Sequence, residues 1–180
     1  MAFTETQETL LIVGIPAAVT VAIAVVSSLW AYLASTRERR RKMYGEAFRA
    51  ALSWGEMLYR VRRRAGGQEA DQRLVARFHE LQEELDFYTG WIGSESKYLQ
   101  LSYQALIDAV KGGTRLLIAD AWKAPVREPC SGTLDTDMHP DLKAAQDRFL
   151  RDVRSHLSPW PWRKMAVAVR NRSEGEDGRR

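Results

Sequence analysis

Between Leu10 and Ala34 the chain reads LLIVGIPAAVTVAIAVVSSLWAYLA, 25 residues without a charge. At about 1.5 Å per residue, a helix of that length exceeds a hydrocarbon core of roughly 30 Å, even with some tilt. A helix packed on a soluble domain normally keeps a polar face. Here only Thr20, Ser27 and Ser28 interrupt the apolar surface. Pro16 lies inside the run, where membrane helices tolerate proline better than soluble ones, although a kink is expected there. Trp30 and Tyr32 close the run, at the depth where amphipathic rings favour the headgroup layer. The segment reads as a transmembrane helix over residues 10–34.

The flanks give that helix a direction. Residues 1–9 hold Glu5 and Glu8 and no basic side chain, whereas Arg37, Arg39, Arg40, Arg41 and Lys42 follow the run at once. Positive charge resists translocation, so residues 1–9 are expected outside and residues 35–180 in the cytoplasm, with the chain crossing the cell membrane once. A cleaved signal peptide would need a basic start, a shorter apolar core and a small-residue cleavage site. The basic cluster also sits on the wrong side for one. Arg37 to Lys42 would then meet anionic headgroups. Within the run, Gly14, Ala18 and Ala22 recur every fourth residue, a spacing that lets two membrane helices approach closely and self-associate.

Beyond the anchor, a lone cysteine, Cys130, excludes an internal disulfide and suits a reducing compartment. The basic residues are mostly Arg, and Ala is abundant; both have GC-rich codons, which points to a bacterial genome. The net charge of +4 conceals segregation. Residues 36–65 carry +7 and residues 66–110 carry −5. Such alternation suits inter-helix electrostatics and argues against a nucleic-acid binder.

After residue 35 the apolar period is helical throughout. Residues 37–65 set Tyr44, Phe48, Ala51, Leu58 and Val61 on one face, bordered by Leu52 and Trp54, before Gly66–Gly67 ends the helix. Residues 69–92 carry Leu74, Phe78, Leu81, Leu85, Tyr88 and Ile92 at alternating spacings of four and three, a coiled-coil-type seam. Gly90 and Gly93 loosen its end, and Ser94 is placed to cap a third helix, 95–123, whose seam is Leu99, Tyr103, Leu106, Val110, Leu117 and Ala121. Gly112–Gly113 interrupts that seam without shifting its register. Residues 124–140 read as a loop, and Pro140 opens a fourth helix that turns Leu142, Ala145, Phe149, Val153 and Leu157 inward. Pro159 and Pro161 then stop the helix. The expected architecture is all-α: a membrane helix, then a cytoplasmic antiparallel bundle of about four helices over 35–164, then a disordered tail over 165–180.

Chemical motifs do not stand out, and no catalytic residue, cofactor or metal ligand is assigned. No His lies three residues after a Glu, so the carboxylate–histidine pair of di-iron bundles is missing. His79 with Glu80, Glu83 and Glu84 reads as a solvated acidic face. Cys130 has no helix or basic cluster near it to activate a thiolate. Asn171–Arg172–Ser173 matches a glycosylation sequon by chance. Arg60, Arg62, Arg63 and Arg64 form either a solvated helix end or a surface for an acidic partner or nucleic acid. Trp160, Trp162, Arg163 and Lys164 form either an aromatic cap on the bundle core or an interfacial anchor on lipid. The expected function is that of a non-enzymatic scaffold, oligomerisation or interaction module at the cytoplasmic face. Its partners would be anionic lipid and a second copy or another protein. The alternative is a membrane-disrupting effector or toxin-system component whose helical domain controls association of the anchor.

Overall fold

The computed structural model describes residues 3–125 and 141–177, and the side chains of residues 19–125 and 141–172. Among them there is no strand. Five helices follow one another: α1 (Phe3–Arg62), α2 (Gln68–Glu95), α3 (Lys97–Lys123), α4 (Lys143–His156) and α5 (Pro161–Asp177). The chain divides into two compact units, Met1–Lys42 and Met43–Arg180, and the division falls inside α1, after the basic cluster. In the first unit, the large apolar side chains from Val19 to Leu33 are exposed. Among the described residues, α1 is the one helix long and apolar enough to cross a membrane.

The second unit contains the buried core. Its stretch of α1 buries Tyr44, Ala47, Ala51, Leu58 and Val61 along one stripe, widened by Ala50 and Met57. The three alanines leave room for close approach: the Tyr103 hydroxyl reaches across and donates to the Ala47 carbonyl at 2.9 Å. Phe48, expected inside, is half-buried and stacks on Phe149 at 6.2 Å between ring centroids. α2 buries Leu81, Leu85 and Ile92, while Leu74, Phe78 and Tyr88 are half-buried against the core. α3 lies against α2, α4 and α5. It buries Leu99, Tyr103, Leu106 and Val110 and continues through Gly112–Gly113 to Lys123. A second apolar cluster joins Leu58, Val61 and Ala121 with Leu74, Phe78, Leu117 and Trp122.

Helix boundaries depart from the sequence expectation in three places. Ser96, not Ser94, caps α3, accepting from the Leu99 amide at 3.3 Å; Ser94 instead donates to the Trp91 carbonyl within α2. α2 therefore runs past Gly93, where an added Cβ would fall 2.8 Å from the Gln100 side chain. At the other end of α2, Gly67 takes φ 119°, in the left-handed region that favours glycine. α4 starts at Lys143, behind an Asp141 carboxylate that accepts the Lys143 amide, and not at Pro140. The expected loop is described only at 124–125, and residues 126–140, with Cys130, lie outside the described residues.

The largest correction concerns the segment 165–180, expected as a tail without structure, over its residues 165–177; residues 178–180 lie outside the described residues. Residues 161–177 form a fifth helix that packs on α3 and α4. Pro161 opens it, because a proline at the first helical position lacks only an N–H that would have no helical partner anyway. Among its described side chains, Val167 and Asn171, one turn apart, are the buried ones.

Candidate functional site

The first candidate region is the end of the apolar run. Trp30 and Tyr32 are exposed, and beyond them Arg37, Arg39, Arg41 and Lys42 are exposed while Arg40 is half-exposed. Gly14, Ala18 and Ala22 all lie within α1; Ala22 is exposed, and the other two side chains lie outside the described set. The seams of α2 and α3, which resemble association surfaces in sequence, are consumed inside the unit by each other, by α1 and by α4.

The four arginines after Tyr59 separate into different roles. Arg60 and Arg63 are exposed and Arg62 is half-buried. Arg64 turns inward. Its guanidinium donates to the carbonyls of Ala121 at 2.7 Å, Trp122 at 3.0 Å and Ala124 at 3.0 Å, lies 5.1 Å from the Trp122 ring centroid, and approaches Asp71 at 3.7 Å. These carbonyls end α3 and have no helical N–H to accept. A planar cation with several donors satisfies them and favours the negative end of the helix dipole. Arg64 is therefore structural, which leaves Arg60 and Arg63 as the exposed members of the cluster. Replacing Arg64 with Ala should lower stability by about 2 kcal/mol. Replacing it with Lys should recover less than half of that, since an ammonium cannot fork across the three carbonyls. Denaturant unfolding of both variants checks this; an Ala variant as stable as the parent would remove the capping role.

On α2, His79, Glu80, Glu83 and Glu84 are exposed. Arg77 pairs with Glu80 at 2.8 Å and Glu84 at 3.7 Å, and Arg73 pairs with Glu69, so much of the acidic charge is answered within the helix. Among the described residues no group of His, Cys, Asp and Glu is arranged to hold a metal ion. Burial pushes the Tyr103 phenol well above its usual range, with Tyr88 and Glu84 adding to the shift. Tyr88 is raised too, first by burial and then by Glu46, to which its hydroxyl donates at 3.4 Å. Both phenols act as neutral hydrogen-bond donors.

The second candidate region is α5 and the turn before it. A polar junction holds this helix. The fully buried Asp152 carboxylate accepts from Arg170 and, at 3.0 Å, from the Asn171 amide. Asn171 also donates to the Tyr98 carbonyl at 3.0 Å and accepts from Arg148 at 2.8 Å. One asparagine thus ties α5 to α3 and α4, which gives the residue of the chance sequon a structural role. Trp160 and Trp162 are exposed and stack on each other with ring centroids 4.7 Å apart. They do not cap the core. Trp91 does pack against the core, edge-on to Tyr44 at 5.1 Å, and His156 meets the same tyrosine at 6.0 Å. Arg163 and Lys164 are exposed beside the indole pair.

No family model, curated protein or solved structure matches this chain. Its function has to be read from its own surfaces. Sequence reasoning found the Trp160–Lys164 stretch but missed its continuation along α5. The available signal was Trp162, Met165 and Val169 at spacings of three and four.

Proposed function

We propose that the chain is held in a cell membrane by the apolar half of α1 and works at the cytoplasmic face as a non-enzymatic helical interaction module. The observation that carries this reading is the exposure of Val19, Val21, Ile23, Val25, Val26, Leu29 and Leu33 around one helix. Each such side chain gains about 1.5–3 kcal/mol on leaving water completely. A helix apolar on nearly every side needs lipid or protein around it. Trp30 and Tyr32 mark a headgroup boundary, and the cations from Arg37 to Lys42 favour retention of the second unit on the cytoplasmic side. In this reading the second unit is an up-and-down bundle of the helical segments from Met43 onward.

The non-enzymatic part of the proposal rests on how the polar groups are used. Asp152, Arg64 and Tyr103 are committed to helix junctions. The carboxylates of α2 face solvent or pair with arginines. The surface cations, Arg60 and Arg63 among them, offer charge to a partner.

A topology reporter tests the orientation. Alkaline phosphatase fused after Arg180 should be inactive, and a fluorescent protein at the same place should be bright. An active phosphatase would overturn the cytoplasmic assignment.

A further inference from the structure

α5 carries two opposed faces. Val167 and Asn171 dock on the unit, and Arg170 reaches Asp152 from the edge of that docked side. On the opposite side, Trp162, Met165 and Val169 fall within one stripe and are 59, 68 and 72 % exposed, with Trp160 just before the helix at 53 %. Elsewhere among the described residues of this unit, the exposed large apolar residues, Val75, Phe87 and Leu116, are scattered along α2 and α3. Single exposed apolar residues are ordinary; a stacked indole pair followed on the same face by Met165 and Val169 is not.

The charges beside the stripe indicate its partner. Arg163 and Lys164 occupy the first turn of α5, which has no acidic residue, and the last turn has no basic one. That order opposes the helix dipole, which favours acids at the start and bases at the end. Helix stability therefore does not explain the two cations. Exposed indoles and a thioether, with exposed Arg163 and Lys164 in the same first turn, match the chemistry of an anionic headgroup layer.

Connectivity supports the same partner. The unit begins at Met43, and Tyr44 packs against Trp91 and His156. Trp160 follows His156 by four residues, at most about 14 Å of extended chain. The stripe therefore starts at the end of the unit where the chain enters from its apolar run.

We propose that the outward face of α5, from Trp160 through Val169, lies in the headgroup layer of an anionic bilayer and forms a second membrane contact for this chain. The proposal rests on the membrane reading of α1 and extends it from a single tether to two points of attachment, which restrict the orientation of the second unit. Each cation near an anionic surface contributes about a fivefold shift in population. Losing both should favour the undocked state by roughly 25-fold.

The test uses the full chain in vesicles containing phosphatidylserine, with Cys130 replaced by Ser and one new cysteine carrying an environment-sensitive dye. Four forms are compared: Met165→Cys on the stripe, the same form with Arg163→Glu and Lys164→Glu, Leu116→Cys on an exposed site of α3, and Val25→Cys in α1. Lipids bearing a nitroxide near the headgroup or in the acyl chain report contact by quenching. The Met165 dye should be quenched by the shallow nitroxide, lose most of that quenching on charge reversal or in phosphatidylcholine vesicles, and the Leu116 dye should stay in water. A Met165 dye in water while the Val25 dye is quenched overturns this inference alone. A Val25 dye that no nitroxide quenches overturns the membrane reading beneath it. A Met165 dye shielded from water but untouched by nitroxide assigns the face to a protein and overturns the lipid assignment, and equal quenching at Leu116 overturns its restriction to α5.

Discussion

Arginine at Val21 and Val25 together should move the chain out of the carbonate-resistant membrane fraction. Both valines are exposed on α1 within the apolar run. An arginine near the centre of a membrane helix costs about 2.5–3.5 kcal/mol on insertion, so the pair opposes insertion by roughly 5–7 kcal/mol. Snorkelling relieves part of this near a helix end, but positions this far before Trp30 lack that outlet. The second unit buries its own core, so the variant should keep the cooperative unfolding of that unit when held in detergent. Retention of the double variant in the membrane pellet to the parent's extent would contradict the anchor reading.

Truncating Phe149 to alanine should cost about 3–5 kcal/mol, a large share of the stability of a domain this size. Phe149 is fully buried, lies 5.3 Å from the Tyr103 ring and stacks on Phe48. It thereby joins α4 to α3 and α1. The cavity left by truncation cannot close without moving Tyr103, whose hydroxyl is tied to Ala47. Phe149→Leu keeps most of the volume and should cost about 1–1.5 kcal/mol. Denaturant unfolding of the detergent-solubilised chain gives both values; a loss below about 1 kcal/mol for the alanine variant would show that α4 contributes little to the core.

Sequence periodicity was enough to locate α1 to α4, because a helix must bring every third or fourth residue to one face and the core selects apolar ones there. Leu81, Leu85, Leu99, Tyr103, Leu106 and Phe149 were all legible in this way. Ala47 and Ala50 were not, since small side chains carry little apolar signal and their importance lies in how closely another helix approaches. α5 was missed because only two of its described side chains are buried and one of them is polar. Its docking depends on hydrogen bonds from Asn171 to residues 19 and 73 positions away, which no local pattern encodes.

The candidate surfaces divide in the same manner. The long uncharged run, its aromatic end and the cations after it are properties of composition along the chain, and one helix expresses them without help from a fold. Which arginine of the Arg60–Arg64 cluster is structural, and whether Trp160 and Trp162 face the core or the outside, depended on tertiary packing. Arg64 turns inward because the carbonyl end of α3 arrives beside it from residues 57 to 60 positions away. The indole pair stays outward because Val167, Asn171 and the buried Asp152 orient α5 with its opposite side toward the core. Local sequence determines what a segment can bury; only the neighbours brought by the rest of the chain decide which side of it is buried.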